Sequence, residues 1–141
     1  MSCLLRIAGR TLDVDAYLAR PAGLSPIAVF RRGEPRFRLT DPKGQRHQRS
    51  GLNVVVSQKD DDDLAGQVKD ALRFLAAQKV AIRALVRRKG VETASLDFGI
   101  ERRADALVQV DVFPAELALS AGKLGLSLQM SHYPQGRPKR R

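Results

Sequence analysis

Seven lysines and arginines crowd the nineteen positions from 31 to 49: Arg31, Arg32, Arg36, Arg38, Lys43, Arg46 and Arg49, against only Glu34 and Asp41. Six of the seven are arginine, whose planar guanidinium grips a phosphate or carboxylate through two parallel hydrogen bonds, where lysine offers a point charge. Clustered cations of this kind suit an anionic partner. On a nucleic acid, each neutralised phosphate releases condensed counterions, and a two-stranded ribbon can enter a groove. Alternation over Arg36–Thr40 puts Arg36, Arg38 and Thr40 on one face and Phe37 and Leu39 on the other. Asp41-Pro42-Lys43-Gly44 has type I turn chemistry, with Asp first, Pro second and Gly fourth. Gln45 to Arg49 would then return, with Arg46 facing the arginine strand. Phe37 is expected in the core rather than as a platform for stacking bases. The plain alternative is a solvated loop, as many charge runs are. A second basic cluster, Arg137, Lys139, Arg140 and Arg141, closes the sequence, either as a nonspecific polyanion arm or as a solubilising terminus.

Other chemistries lack their residues. Asp60 to Asp63 are four consecutive acids, but neighbours at a helix start fan outward instead of converging on a cation, and no calcium-loop pattern follows. Capping and compensation of the helix dipole account for the run. It could also fold back on the arginine hairpin and blunt its field. His47 and His132 have no metal-ligand spacing. No Gly-x-Ser-x-Gly, Walker loop or Gly-x-Gly-x-x-Gly occurs. Cys3 sits in an apolar run, where a thiol is usually inert packing. The sequence therefore predicts no catalytic residue, no metal ligand, no cofactor and no enzymatic activity.

The elements that must position these residues begin from 141 residues, the length of one domain with a sufficient core. The net charge of +10 is uneven. Residues 1–50 carry ten cations and four acids, residues 51–100 eight and seven, and residues 101–141 seven and four. A single cysteine cannot form an internal bridge, which fits a reducing cytosol. Arg6 breaks the apolar run Cys3-Leu4-Leu5 too early for a secretory signal, and no stretch is long and apolar enough to span a bilayer. A cytoplasmic protein without membrane contact is expected, as a monomer or small homo-oligomer.

Cys3–Ile7 alternates as a strand, and residues 13–19 form a short helix capped by Thr11 or Asp13. Strands follow at Pro26–Phe30, in the basic hairpin, and at Gly51–Ser57. Leu64, Val68, Ala71, Leu72 and Leu75 make a helical stripe that Ile82, Leu85 and Val86 extend past a break near Gln78-Lys79. Further strands are read at Ser95–Glu101 and at Ala106–Phe113, the latter with Val108, Val110 and Val112 inward against a wet face of Gln109 and Asp111. Pro114 is placed at the first turn of a helix through Ala121, and Leu124 to Ser131 alternates as a last strand. The order β-α-β-β-β-α-β-β-α-β predicts an α+β fold, a single domain over residues 1–133 with a mostly antiparallel or mixed sheet and helices packed on one face. Residues 134–141 are expected as a basic, mobile tail.

Several of these segments carry a likeness: Leu52-Asn53-Val54-Val55-Val56-Ser57, the helix from Leu64 through Val68 and Leu72-Arg73-Phe74-Leu75, Leu96-Asp97-Phe98-Gly99-Ile100, Phe113-Pro114-Ala115-Glu116-Leu117, Leu124-Gly125-Leu126-Ser127-Leu128 and Ser131-His132-Tyr133. Together they resemble the bacterial family called domain of unknown function 4279, over most of residues 1–133 and best in the C-terminal third. The chain departs from that pattern in having no tryptophan near residues 52–57. The resemblance implies a small bacterial α+β protein with no settled activity, and it transfers no catalytic residue. By analogy of fold it fits immunity or regulatory partners. The first functional expectation is a non-catalytic module binding an acidic protein through the arginine hairpin. The alternative is a nucleic-acid-binding domain using the same hairpin and the basic tail.

Overall fold

A computed structural model describes residues 2–20 and 23–136. Its centre is β1 (Cys3–Gly9), whose strict alternation sends Cys3, Leu5 and Ile7 to one face, all completely buried, and Leu4, Arg6 and Ala8 to the other. Both edges of β1 are paired antiparallel, with β5 (Ser50–Ser57) on one side and β6 (Thr93–Arg102) on the other. Beyond β5 lies the short β2 (Ala28–Phe30), antiparallel. Beyond β6 lies β7 (Ser127–Pro134), parallel. The five-stranded sheet thus runs β2-β5-β1-β6-β7. The parallel pair follows from its connection: β6 leads through a loop and a helix before β7 returns, the crossover that parallel strands require.

The registers put Leu52, Val54, Leu96 and Phe98 on the same face as Leu5 and Ile7, and the helices cover that face. Helices α1 (Val14–Ala19), α2 (Leu64–Ala77), α3 (Lys79–Val86) and α4 (Ala115–Lys123) contribute Val14, Tyr17, Val68, Ala71, Leu75, Ile82, Leu85, Leu117 and Ala121 to one core. Asp13 caps α1 by accepting from the Ala16 amide at 2.9 Å, and Asp63 caps α2 from the Gly66 amide at 2.9 Å. Gln78, with φ −108° and ψ 17°, separates α2 from α3 and places the break where the sequence predicts it. Gln67, wholly buried, reaches from α2 to donate to the carbonyls of Asp60 (3.0 Å) and Gly99 (2.8 Å), tying the helix to the sheet. Gly90 closes the turn after α3 at φ +92°, and a Cβ there would lie 2.7 Å from the Leu12 amide nitrogen, so the close approach needs glycine. This is the expected α+β domain with one mixed sheet. Among the described residues no helix is long and apolar enough to cross a membrane.

Three local expectations are corrected. The segment 106–113 is not a strand: it belongs to an irregular connection over 103–113, with Val108, Val110 and Val112 each at least 71% exposed and Leu107 fully so. Between Leu107 and Val112 the half-buried residues are the polar Gln109 and Asp111, and Phe113 at the end packs on Phe98. Gln109 donates to the Glu101 carbonyl (2.9 Å) and accepts from the Arg103 amide (2.9 Å). The reason is topological, because β7 already holds the β6 edge that such a strand would need. Pro114 stands at the N-cap of α4 instead of inside its first turn. At the C-terminal end, β7 continues through Pro134, paired with Arg102, and Gln135 accepts from the Ala104 amide at 3.2 Å.

Candidate functional site

A further correction falls on the basic hairpin. Its strands are β3 (Pro35–Phe37) and β4 (Asp41–Arg46), and the reversal is Arg38–Thr40. Asp41, Pro42, Lys43 and Gly44, expected as the turn, lie in the returning strand. A two-stranded ribbon outside the main sheet tolerates Pro42, since one side of each strand has no ladder to lose. The hairpin is continuous with the sheet. From β2 and β5 the ladder passes through the bonds of the Gly33 amide to the His47 carbonyl and of the His47 amide to the Glu34 carbonyl, both 2.9 Å, and reaches the Pro35–Arg46 pair. Residues 28–57 therefore form one long bent ribbon. Its base belongs to the sheet and its tip is a separate two-stranded arm.

The base of the arm is fastened by specific contacts. The Arg31 guanidinium donates to the Asp15 carboxylate on α1 from Nη2 at 2.6 Å and from Nε at 3.1–3.2 Å. That hydrogen bonding holds Asp15 below the ordinary carboxylate range and raises Arg31, each favouring the other's charged form. The Arg32 amide donates to Ser50 Oγ at 2.9 Å, Phe30 stacks on His47 with centroids 4.8 Å apart, and Arg46 Nη1 donates to the Gly33 carbonyl at 2.7 Å. At the kink, Gly33 takes φ +85°.

Most of the arm's charge faces solvent. Arg32, Arg36, Arg38, Lys43 and Arg46 are exposed and Arg49 is half-buried. Two of the seven cations are matched by acids: Arg31 by Asp15 and, more distantly, Glu34 (3.9 Å), and Arg38 by Glu34 at 3.3 Å. The acids that the arm's paired arginines find are thus Asp15 and Glu34. In the acidic run, Asp63 caps α2 and the Asp61 carbonyl accepts from the Glu101 amide at 2.9 Å. Phe37 is not in the core: it is 57% exposed, and Leu39 at the turn is 96% exposed. The arm therefore ends in two uncovered apolar side chains set among arginines. The tail residues Arg137, Lys139, Arg140 and Arg141 lie outside the described residues.

A second constellation, which no local sequence pattern signals, lies on the helix-free face of the sheet. Arg6 projects there from the central strand and donates from Nε to buried Asp97 at 2.7 Å, and Ser131 Oγ donates to the other Asp97 oxygen at 2.7 Å. The alternation of β1 turns Arg6 outward, and the pairing of β1, β6 and β7 brings the three together. Among the described residues no cluster of histidine, cysteine and carboxylates could hold a metal ion. Burial pushes the Cys3 thiol far up, with the charges of Asp97 and Asp70 adding to the effect. Comparison with family models, with curated proteins and with solved structures finds no match to this chain.

Proposed function

We propose that this protein is a non-catalytic binding module that engages an acidic partner protein through the ribbon arm, as an immunity or adaptor protein would. The carrying observation is the arm's tip, where Phe37 and Leu39 stand uncovered between Arg36, Arg38 and Lys43. Protein interfaces are built this way, with apolar anchors entering pockets and arginine enriched at the energetic centre. The likeness to the family of unknown function accords with a role that is binding rather than chemistry. A fastened base favours this use. Arg31, Ser50 and His47 fix where the arm leaves the sheet, which lowers the ordering cost of docking it.

Nucleic acid is the second reading, favoured by the same shape. Cationic ribbons enter grooves, and apolar tips can wedge between base steps. One pair of measurements separates the two. The expected outcome is that the protein purified at low salt carries no excess absorbance at 260 nm, and that a partner captured after nuclease treatment is lost with Phe37→Ser or Leu39→Ser. Both positions are exposed, so these variants should retain stability to within about 0.5 kcal/mol. Tight duplex binding whose logarithm falls against log salt with slope of about −5, the value for about six phosphates, would replace the protein reading with the nucleic-acid one.

A further inference from the structure

The helix-free face of the sheet carries a polar row that no single strand contains. Register places Asn53 of β5 beside Arg6 of β1, Arg6 beside Ser95 of β6, and Ser95 beside Ser127 of β7. This row forms the floor of an open cleft of about 480 Å³, walled by Phe30 on one side and by Thr93 and Gln129 on another. The volume is that of sites for small organic ligands, roughly 300–1,000 Å³. Phe30 is held in place by its stacking on His47, and Gln129 is oriented by Ser95 Oγ, which donates to its Oε1 at 3.2 Å.

Arg6 is prepared rather than merely present. Its Nε is committed to Asp97, whose second oxygen is committed to Ser131. The Nε contact orients the guanidinium, its η1 and η2 nitrogens have no hydrogen-bond partner among the described residues, and Arg6 is one of the residues that line the cleft. An arginine positioned through Nε with its other edge offered to a cavity is suited to receive a planar bidentate anion. The local charge decides which anion. Asp97 already balances Arg6, and Glu92 stands at the rim, held by the Arg10 amide. Both carboxylates repel an anion in proportion to its charge, so a singly charged carboxylate is opposed less than a dianion.

We propose that this cleft binds a monocarboxylate with a compact apolar body. The carboxylate takes the free edge of Arg6, the amides of Asn53 and Gln129 contact its polar atoms, and the apolar body lies against Phe30. The site is separate from the arm and does not depend on the reading of the arm. A small free acid and the carboxyl terminus of a peptide present the same group.

The test is titration of ¹⁵N-labelled protein with hippurate, its neutral amide, inorganic phosphate, and a longer peptide ending in the same glycine carboxylate. Hippurate should shift the Arg6 Nε–H and the Asn53 side-chain signals saturably, with the amide and phosphate weaker by about tenfold or more, as expected for loss of one charge-assisted pair. Tighter binding of the peptide identifies a chain terminus as the ligand, and equal binding identifies a small acid. Arg6→Gln removes the receptor but leaves Asp97 buried without its cation and could unfold the sheet. Asn53→Asp serves as the second variant, because it places an isosteric carboxylate beside Arg6 to occupy the fork from within. Its spectrum should remain folded while hippurate affinity falls about tenfold or more, and Arg73→Ala, a change at an exposed residue of α2, should bind as the parent does. Hippurate failing to shift Arg6, phosphate or the amide matching it, or Asn53→Asp binding undiminished would each overturn the proposal.

Discussion

Cys3 in β1 and Asp15 in α1 show how differently two ionisable side chains are treated. Cys3 is completely buried, and desolvation, reinforced by Asp97 and Asp70, disfavours its thiolate. Its folded value lies above the ordinary 9.0, so the neutral thiol contributes stability that is fully present below about pH 9 and lost as pH rises through the folded value. The native protein should resist a thiol reagent that labels the unfolded chain completely. Urea midpoints followed from about pH 8 to about pH 10.5 should fall less steeply in Cys3→Ala than in the parent; equal slopes would show the thiol to be ionisable in place. Asp15 is shifted the opposite way, downward through its hydrogen bonds from Arg31. Its contribution is present above the ordinary 3.8 and lost only as pH falls through the lowered folded value. Asp15→Asn should leave stability at neutral pH nearly unchanged, as for exposed ion pairs in general, and shallow the acid limb below that point. Its larger effect should be on the arm, measured as loss of ordered amide signals in residues 31–34.

The elements owe their positions to a few residues with particular geometry. Gly33 sits at φ +85° where the ribbon leaves the sheet, with open space around its Cα, so only the backbone conformation opposes a side chain. Gly33→Ala should cost about 1 kcal/mol in urea unfolding and should turn the arm, which would appear as altered shifts in β3 and β4 with the core unchanged. The arm also shows why local turn chemistry misplaced the reversal. Asp41-Pro42-Lys43-Gly44 suits a turn considered alone, but the ladder through Gly33, Glu34 and His47 fixes which residues face each other, and Arg38–Thr40 is where that register runs out. Helix α2 was legible because its apolar stripe has no competing reading, and its break at Gln78 showed as an interruption of that stripe. Phe37 was misassigned for the converse reason: alternation says which residues share a face, not whether anything lies against that face.

At the scale of the whole molecule, the segment 103–113 and the open face of the sheet are two consequences of one topology. Because β7 pairs with β6, the connection between them is left outside the ladder with its valines in water. Val110→Lys should therefore change the urea midpoint by the equivalent of no more than about 0.5 kcal/mol; a loss of several kcal/mol would mean that the valine is packed. The sequence by itself determined the α+β class, the strands β1, β5 and β6, the helical stripes and the existence of a cationic hairpin, since each is a property of periodicity or composition within one segment. Only the tertiary structure decided that Val108, Val110 and Val112 face out, that the hairpin projects as an arm with a bare apolar tip, and that Arg6, Asn53, Ser95 and Asp97 meet on one face. These depend on which strand lies beside which. Pairing energies between distant segments set that order, and no local pattern records them.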